Sequence, residues 1–100
     1  MHIYELLDAG KENRKTTSWL RKATGLSLRE LRDAIRKERR EGHLILSGKG
    51  CGGYWLFSGK DEDIEELLTF CREYRRPALD MLKTLAMFIA EAERRKQKGA

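Results

Sequence analysis

The sequence predicts a mainly α-helical fold with a small β-hairpin and a helical extension at its C-terminal end. Three observations predict it. Residues 27–42 read as one capped, two-faced helix. Residues 43–58 hold two short apolar stretches separated by a glycine-rich run. From Ile64 to Ala92, apolar residues recur at steps of three and four, the spacing of one helix face.

Residues 2–9, His-Ile-Tyr-Glu-Leu-Leu-Asp-Ala, predict a short first helix. Ile3, Leu6 and Leu7 share a face, Gly10 stops it, and His2 is a surface residue. Residues 11–15 form a polar connector. Thr16 and Thr17 are both good N-caps, and the helix they open runs through Trp19 to end at Gly25. Leu20 and Ala23 point inward, with Trp19 partly buried beside them. Leu26 enters a tight turn.

Ser27 then opens the central helix. Ser27 and Glu30 have capping-box spacing: the serine oxygen accepts from the N–H of Glu30, and the Glu30 carboxylate reaches back to the N–H of Ser27. Leu28, Leu31 and Ile35 fall on one face. Arg29, Arg32, Arg36 and Arg40 fall on another. Gly42 follows a basic last turn, where a left-handed residue commonly ends a helix. Helix, glycine-containing turn and second helix make a helix-turn-helix layout, carried by Leu20-x-x-Ala23-x-Gly25-Leu26-Ser27.

His43–Ser47 has strand character, and Tyr54–Ser58 is a second strand rich in aromatics. Of Tyr54 and Trp55, which alternate in direction, one belongs to the core and one to the surface. Four glycines fill the six residues between Gly48 and Gly53. Strand, glycine loop and strand predict a β-hairpin, and helices followed by a hairpin have the order of a winged helix. The glycine tip lacks the G-x-x-x-x-G-K-[ST] order of a nucleotide phosphate loop.

Asp61, Glu62 and Asp63 favour the start of a further helix, with Ile64, Leu67, Leu68, Cys71 and Tyr74 as its inner face. Pro77 predicts a break or kink at 75–77. The apolar phase nevertheless runs across the proline (64, 68, 71, 75, 78, 82, 85, 89, 92), as in a kinked continuous helix. The domain reading is a winged domain over residues 1–59 and a helical extension over 60–98. The extension carries more apolar surface than a small domain covers. Leu82, Leu85, Phe88 and Ile89 are therefore expected to pair with a second subunit as a homodimer, rather than fold back on their own domain.

Charge narrows the function. The net charge is +5, and residues 15–50 alone hold ten Lys/Arg against four Asp/Glu. The whole excess thus lies in the segment of the central helix, the footprint of a polyanion site. Arg29, Arg32, Arg36 and Lys37 are the expected contacts to double-stranded DNA. Ser27 stands at the start of their helix, and Asp33 either accepts from cytosine or, as favoured, pairs with Arg36 or Lys37. Thr16, Thr17 and Ser18 sit where hydroxyls and helix-terminal N–H groups hold phosphate, or simply cap. Lys49 is a phosphate contact at the hairpin tip. Arg39 and Arg40 are expected to be solvated or to face the helix dipole.

Other chemistries lack a pattern. Cys51, Cys71, His2 and His43 have no metal-ligand spacing, and Cys71 is expected in the core. No acid–base or nucleophile constellation stands out, so no catalytic residue, cofactor, metal or small-molecule ligand is expected. No apolar run reaches the ~20 residues of a membrane span. With no signal-like start, the expectation is a cytoplasmic chain with reduced thiols.

Leu26–Arg32, Ile35–Gly42, Leu46-Ser47 and Gly52-Gly53-Tyr54-Trp55-Leu56, followed by an acidic helix start and a basic tail, resemble small winged helix-turn-helix proteins of phages and prophages of Gram-positive bacteria. The resemblance spans nearly the whole chain. Its most specific part is the Arg-Arg-Glu-Gly turn followed by a strand and Gly-Gly-Tyr. It implies a winged fold and DNA binding in transcription regulation or replication, with no particular target. The alternative function is a protein–protein adaptor, with the winged domain as scaffold and the C-terminal helix as partner site.

Overall fold

The computed structural model describes residues 2–48, 50 and 52–98. They form three α-helices and one antiparallel hairpin: α1 (Thr17–Thr24), α2 (Leu28–Arg40), β1 (Ile45–Ser47), β2 (Tyr54–Leu56) and α3 (Ile64–Lys98). Single 3-10 turns lie at Ile3–Leu6, Lys11–Asn13 and Asp61–Asp63. The chain divides into two compact units, one ending at Phe70 and the other beginning at Cys71. No helix among the described residues is long and apolar enough to cross a membrane.

The core of the first unit joins Ile3, Leu7, Leu20, Leu31, Ile35 and Ile45. The helical periods of α1 and α2 supply Leu20, Leu31 and Ile35, and the alternation of β1 supplies Ile45. In the hairpin, Ile45 faces Leu56, Leu46 faces Trp55 and Ser47 faces Tyr54. Trp55 is the buried aromatic of the pair, and Tyr54 is half-buried rather than exposed.

The N-terminal segment departs from the predicted helix. Only Ile3–Leu6 coils, as a 3-10 turn, and Leu7 is already extended. The reason is the free edge of β2. The Leu56 N–H donates to the Asp8 carbonyl at 2.9 Å, and the Gly10 N–H donates to the Leu56 carbonyl at 3.1 Å. Lys15, read as connector, exchanges both backbone bonds with Tyr54 at 2.8 and 2.9 Å. An edge strand left unpaired is a liability, and these two short stretches cover it.

That pairing explains Gly53. Its φ is +149°, and a Cβ there would lie 2.8 Å from the Lys15 carbonyl oxygen. The dihedral and the close approach both belong to the backbone, so neither yields cheaply. Gly53→Ala is expected to cost about 2 kcal/mol, read as a lower urea midpoint. An unchanged midpoint would mean that the Lys15–Tyr54 pairing is not tight in solution.

The turn between α1 and α2 is closed by Thr24, not by Ala23. Ala23 is exposed. The Thr24 hydroxyl donates to the Leu20 carbonyl at 2.7 Å and accepts from the Leu26 N–H at 3.2 Å. Gly25 is left-handed, as expected of its place. Trp19 is exposed, with the Lys15 ammonium 4.8 Å from its ring centroid.

α3 is continuous through Pro77, as the unbroken apolar phase allowed; proline withdraws one N–H from the ladder, and the turns on either side carry the helix across without a break. Its other features differ from expectation. The first unit includes the start of α3, because Trp55 Nε1 donates to Glu66 Oε1 at 2.8 Å and Ser58 Oγ to Asp63 Oδ2 at 2.7 Å. These ties turn Asp63, Glu66, Leu67 and Phe70 to the half-buried side, while Ile64 and Leu68 are exposed. Cys71 is exposed too, not in the core.

Candidate nucleic-acid interface

α2 is fixed at both ends by local chemistry. Both arms of the capping box form: the Glu30 N–H donates to Ser27 Oγ at 3.1 Å, and the Ser27 N–H donates to Glu30 Oε1 at 3.0 Å. The Ser27 backbone N–H first, and the Ser27 side chain second, hold the Glu30 carboxyl below its ordinary range. The other end closes at Gly42, with φ +101°. The Gly42 N–H donates to the Arg39 carbonyl and the His43 N–H to the Glu38 carbonyl, each at 3.1 Å. This crossed pair satisfies two of the carbonyls that a helix end leaves open.

With its ends set, α2 buries Leu31 and Ile35 and turns Arg29, Arg32, Asp33, Arg36, Lys37 and Arg40 outward. Arg36 Nη1 lies 3.4 Å from Asp33 Oδ1, so Asp33 takes its intrahelical partner. The side chains of Arg29, Arg32, Lys37 and Arg40 make no hydrogen bond or ion pair with other described residues. A row of solvated cations on a rigid helix binds anions without first breaking internal bonds.

The threonines and serines divide. Thr16 caps α1, its hydroxyl oxygen accepting from the Trp19 N–H at 3.0 Å. Ser27 caps α2 in the same way. Thr17 is half-buried and Ser18 exposed in the first turn of α1, where backbone N–H groups lack intrahelical partners. Lys49 lies outside the described residues, as does Cys51.

Sequence reasoning missed two cations here. An open groove of about 620 Å³ runs past Thr17, Ser18, Arg21 and Lys22 of α1, Gly25 and Leu26 of the turn, and Leu28 of α2. Arg21 and Lys22 stand four residues after Thr17 and Ser18, one helical turn on, and that spacing was the available signal.

Two charged residues of α2 instead serve the fold. Arg39 is not solvated. Its Nε donates to the Ile45 carbonyl at 2.8 Å and its Nη2 to Ser47 Oγ at 3.2 Å. Its guanidinium lies 4.8 Å from the Phe70 ring centroid and 5.9 Å from that of Tyr54. It therefore ties β1 to α2. Glu38 is 4% exposed. Its two carboxylate oxygens accept from the N–H groups of Ile3 and Tyr4, each at 2.8 Å.

α2 thus presents a cationic face, and Thr17, Ser18, Arg21 and Lys22 line a groove along α1. No protein-family model, curated protein or solved structure matches the chain.

Proposed function

We propose that the chain is a double-stranded DNA-binding protein of winged helix-turn-helix type, acting as a homodimer in transcription regulation or phage-type DNA replication. In this reading α1, the turn at Gly25 and α2 are the helix-turn-helix. α2 enters the major groove, and the glycine-rich connection between β1 and β2 is the wing on the backbone. The observation that carries it is the outward row Arg29, Arg32, Arg36 and Lys37 on α2, opposite buried Leu31 and Ile35. Arginine both grips phosphate and reads guanine edges. The first turn of α1, with Thr17 and Ser18, and the cations Arg21 and Lys22 one turn on, support it as a phosphate-holding neighbour.

The homodimer rests on Leu82, Leu85, Phe88 and Ile89, all exposed on α3. The same surface supports the second reading, a protein–protein adaptor with α3 as its partner site.

A binding titration to duplex DNA at several salt concentrations tests the proposal. Contacts to six or more phosphates predict a loss of roughly a thousandfold in affinity between about 50 and 200 mM salt. No binding at the lowest salt would reject it and leave the adaptor reading.

A further inference from the structure

We propose that the part of α3 beyond Cys71 pairs antiparallel with the same helix of a second copy, Leu82 packing against the second copy's Leu85. The proposal rests on the homodimer reading and gives it an orientation and a register.

The need for cover is plain from exposure. Met81 and Phe88 are 72% and 71% exposed, Leu82 60% and Leu85 52%. At about 100° per residue, Met81 and Phe88 mark one edge of the apolar arc, and Leu79 with Ala90 marks the other. The arc spans about 200°, wider than the stripe of an ordinary surface helix. Aligned as heptads, Arg75, Leu82, Ile89 and Lys96 take the a positions, and Cys71, Ala78, Leu85 and Ala92 take the d positions.

The charges among these positions choose the orientation. In a parallel, in-register pair each a residue meets its own copy. Arg75 would then face Arg75, and Lys96 would face Lys96, inside the seam. Phe88 would lie beside the second copy's Glu93. Like charges so juxtaposed oppose association.

In an antiparallel pair a residues meet d residues. Leu82 meets Leu85, Ala78 meets Ile89, and towards the ends of the seam Arg75 meets the small Ala92 and Lys96 meets Cys71, where the long cationic stems reach solvent. On the flanks Met81 comes opposite Phe88, a favourable sulfur–aromatic contact, and Leu79 opposite Ala86. Arg72 comes opposite Glu93 of the second copy, twice by symmetry. Sliding by one heptad destroys this match, setting Arg75 against Leu85 and Arg72 against Ala86 in one direction, and Met81 against Arg95 and Leu79 against Glu93 in the other. One orientation and one register therefore join apolar to apolar and opposite charge to opposite charge.

Disulfide trapping in the full chain tests this, in a Cys51→Ser/Cys71→Ser background. An Ala78→Cys/Ile89→Cys double variant is expected to give cross-linked dimers on oxidation, with a 78–89 link on peptide mapping. A link within one chain is ruled out, because eleven residues of helix put these positions about 16 Å apart, beyond the ~7 Å Cα limit of a disulfide. Each single variant should cross-link about tenfold less, since like positions are then just as far apart. Arg72→Cys/Glu93→Cys, which leaves the seam intact, should behave the same way and covers the case in which Ile89→Cys weakens pairing. Self-linking of Ala78→Cys alone, in a protein whose sedimentation mass is a dimer, would overturn the antiparallel arrangement and leave the homodimer standing. A sedimentation mass of one chain would overturn both, and the DNA titration would be unaffected.

Discussion

Replacing Glu38 by alanine is expected to lower the stability of the unit that ends at Phe70 by about 3 kcal/mol. The carboxylate is buried and accepts two backbone N–H bonds at 2.8 Å, from Ile3 and Tyr4. These are the leading N–H groups of the Ile3–Leu6 turn, whose own N-cap residue, His2, supplies no side-chain cap. Removing the carboxylate strands both donors in a region too buried for water to replace it freely. The cost of desolvating Glu38 is recovered on deletion, but losing one partner of a buried charged pair normally outweighs that gain. Glu38→Gln keeps one acceptor oxygen and sets an amide N–H against the other donor, so its loss should be nearly as large. Urea unfolding followed by circular dichroism measures the change. Hydrogen exchange locates it, since the Ile3 and Tyr4 amides should lose protection while those of α2 keep theirs relative to global unfolding. A Glu38→Ala midpoint equal to that of the parent would show that the Ile3–Leu6 turn is not held by this carboxylate in solution.

Glu38 also shows where reading a sequence stops. The capping box at Ser27, the left-handed glycines at 25 and 42, and the hairpin around Gly48–Gly53 are legible because each is decided by residues within a few positions of one another. Glu38 meets residues 34 and 35 positions away. Nothing in a basic helix end distinguishes a glutamate that caps a distant turn from one that faces water. Arg39 is concealed for the same reason. In sequence it is one more cation of a basic turn, yet β1 takes it as a donor. The N-terminal segment failed differently. Its apolar spacing is genuine, and Ile3 and Leu7 are both buried, but four residues of coil and an extended strand edge satisfy that spacing as well as a helix does. At Pro77 the sequence left both a break and a continuous helix open, and the helix runs on through all 35 residues although an interior proline costs about 3 kcal/mol. In the candidate interface, periodicity separated the exposed α2 cations from Leu31 and Ile35. Arg21 and Lys22 are less legible, because only the turn at Gly25 brings them to one groove with Leu26 and Leu28.

Reversing two charges of the α2 row, Arg32→Glu with Arg36→Glu, is expected to weaken binding to duplex DNA by roughly a thousandfold at fixed low salt. Each arginine lost removes one site of counterion release, so the slope of log affinity against log salt should flatten by about 2. The two glutamates add repulsion from the phosphates, which makes reversal more severe than truncation. The fold should survive it. Both side chains are exposed, and the bond given up is the 3.4 Å contact of Arg36 with Asp33, an exposed pair worth at most about 1 kcal/mol. The Arg36→Glu change also sets a second carboxylate beside Asp33, a like-charge cost of about a few tenths of a kcal/mol on the helix surface. The paired conservative variant, Arg32→Lys with Arg36→Lys, separates the two uses of arginine. Lysine keeps the charge and loses the planar fork. A variant that binds with the parent's slope but no longer discriminates between sequences would mark these positions as readers of bases. One that keeps both slope and discrimination would mark them as phosphate contacts. Unchanged affinity in the charge-reversed protein, with its helical content intact, would remove the α2 row from the interface and with it the main support for DNA binding.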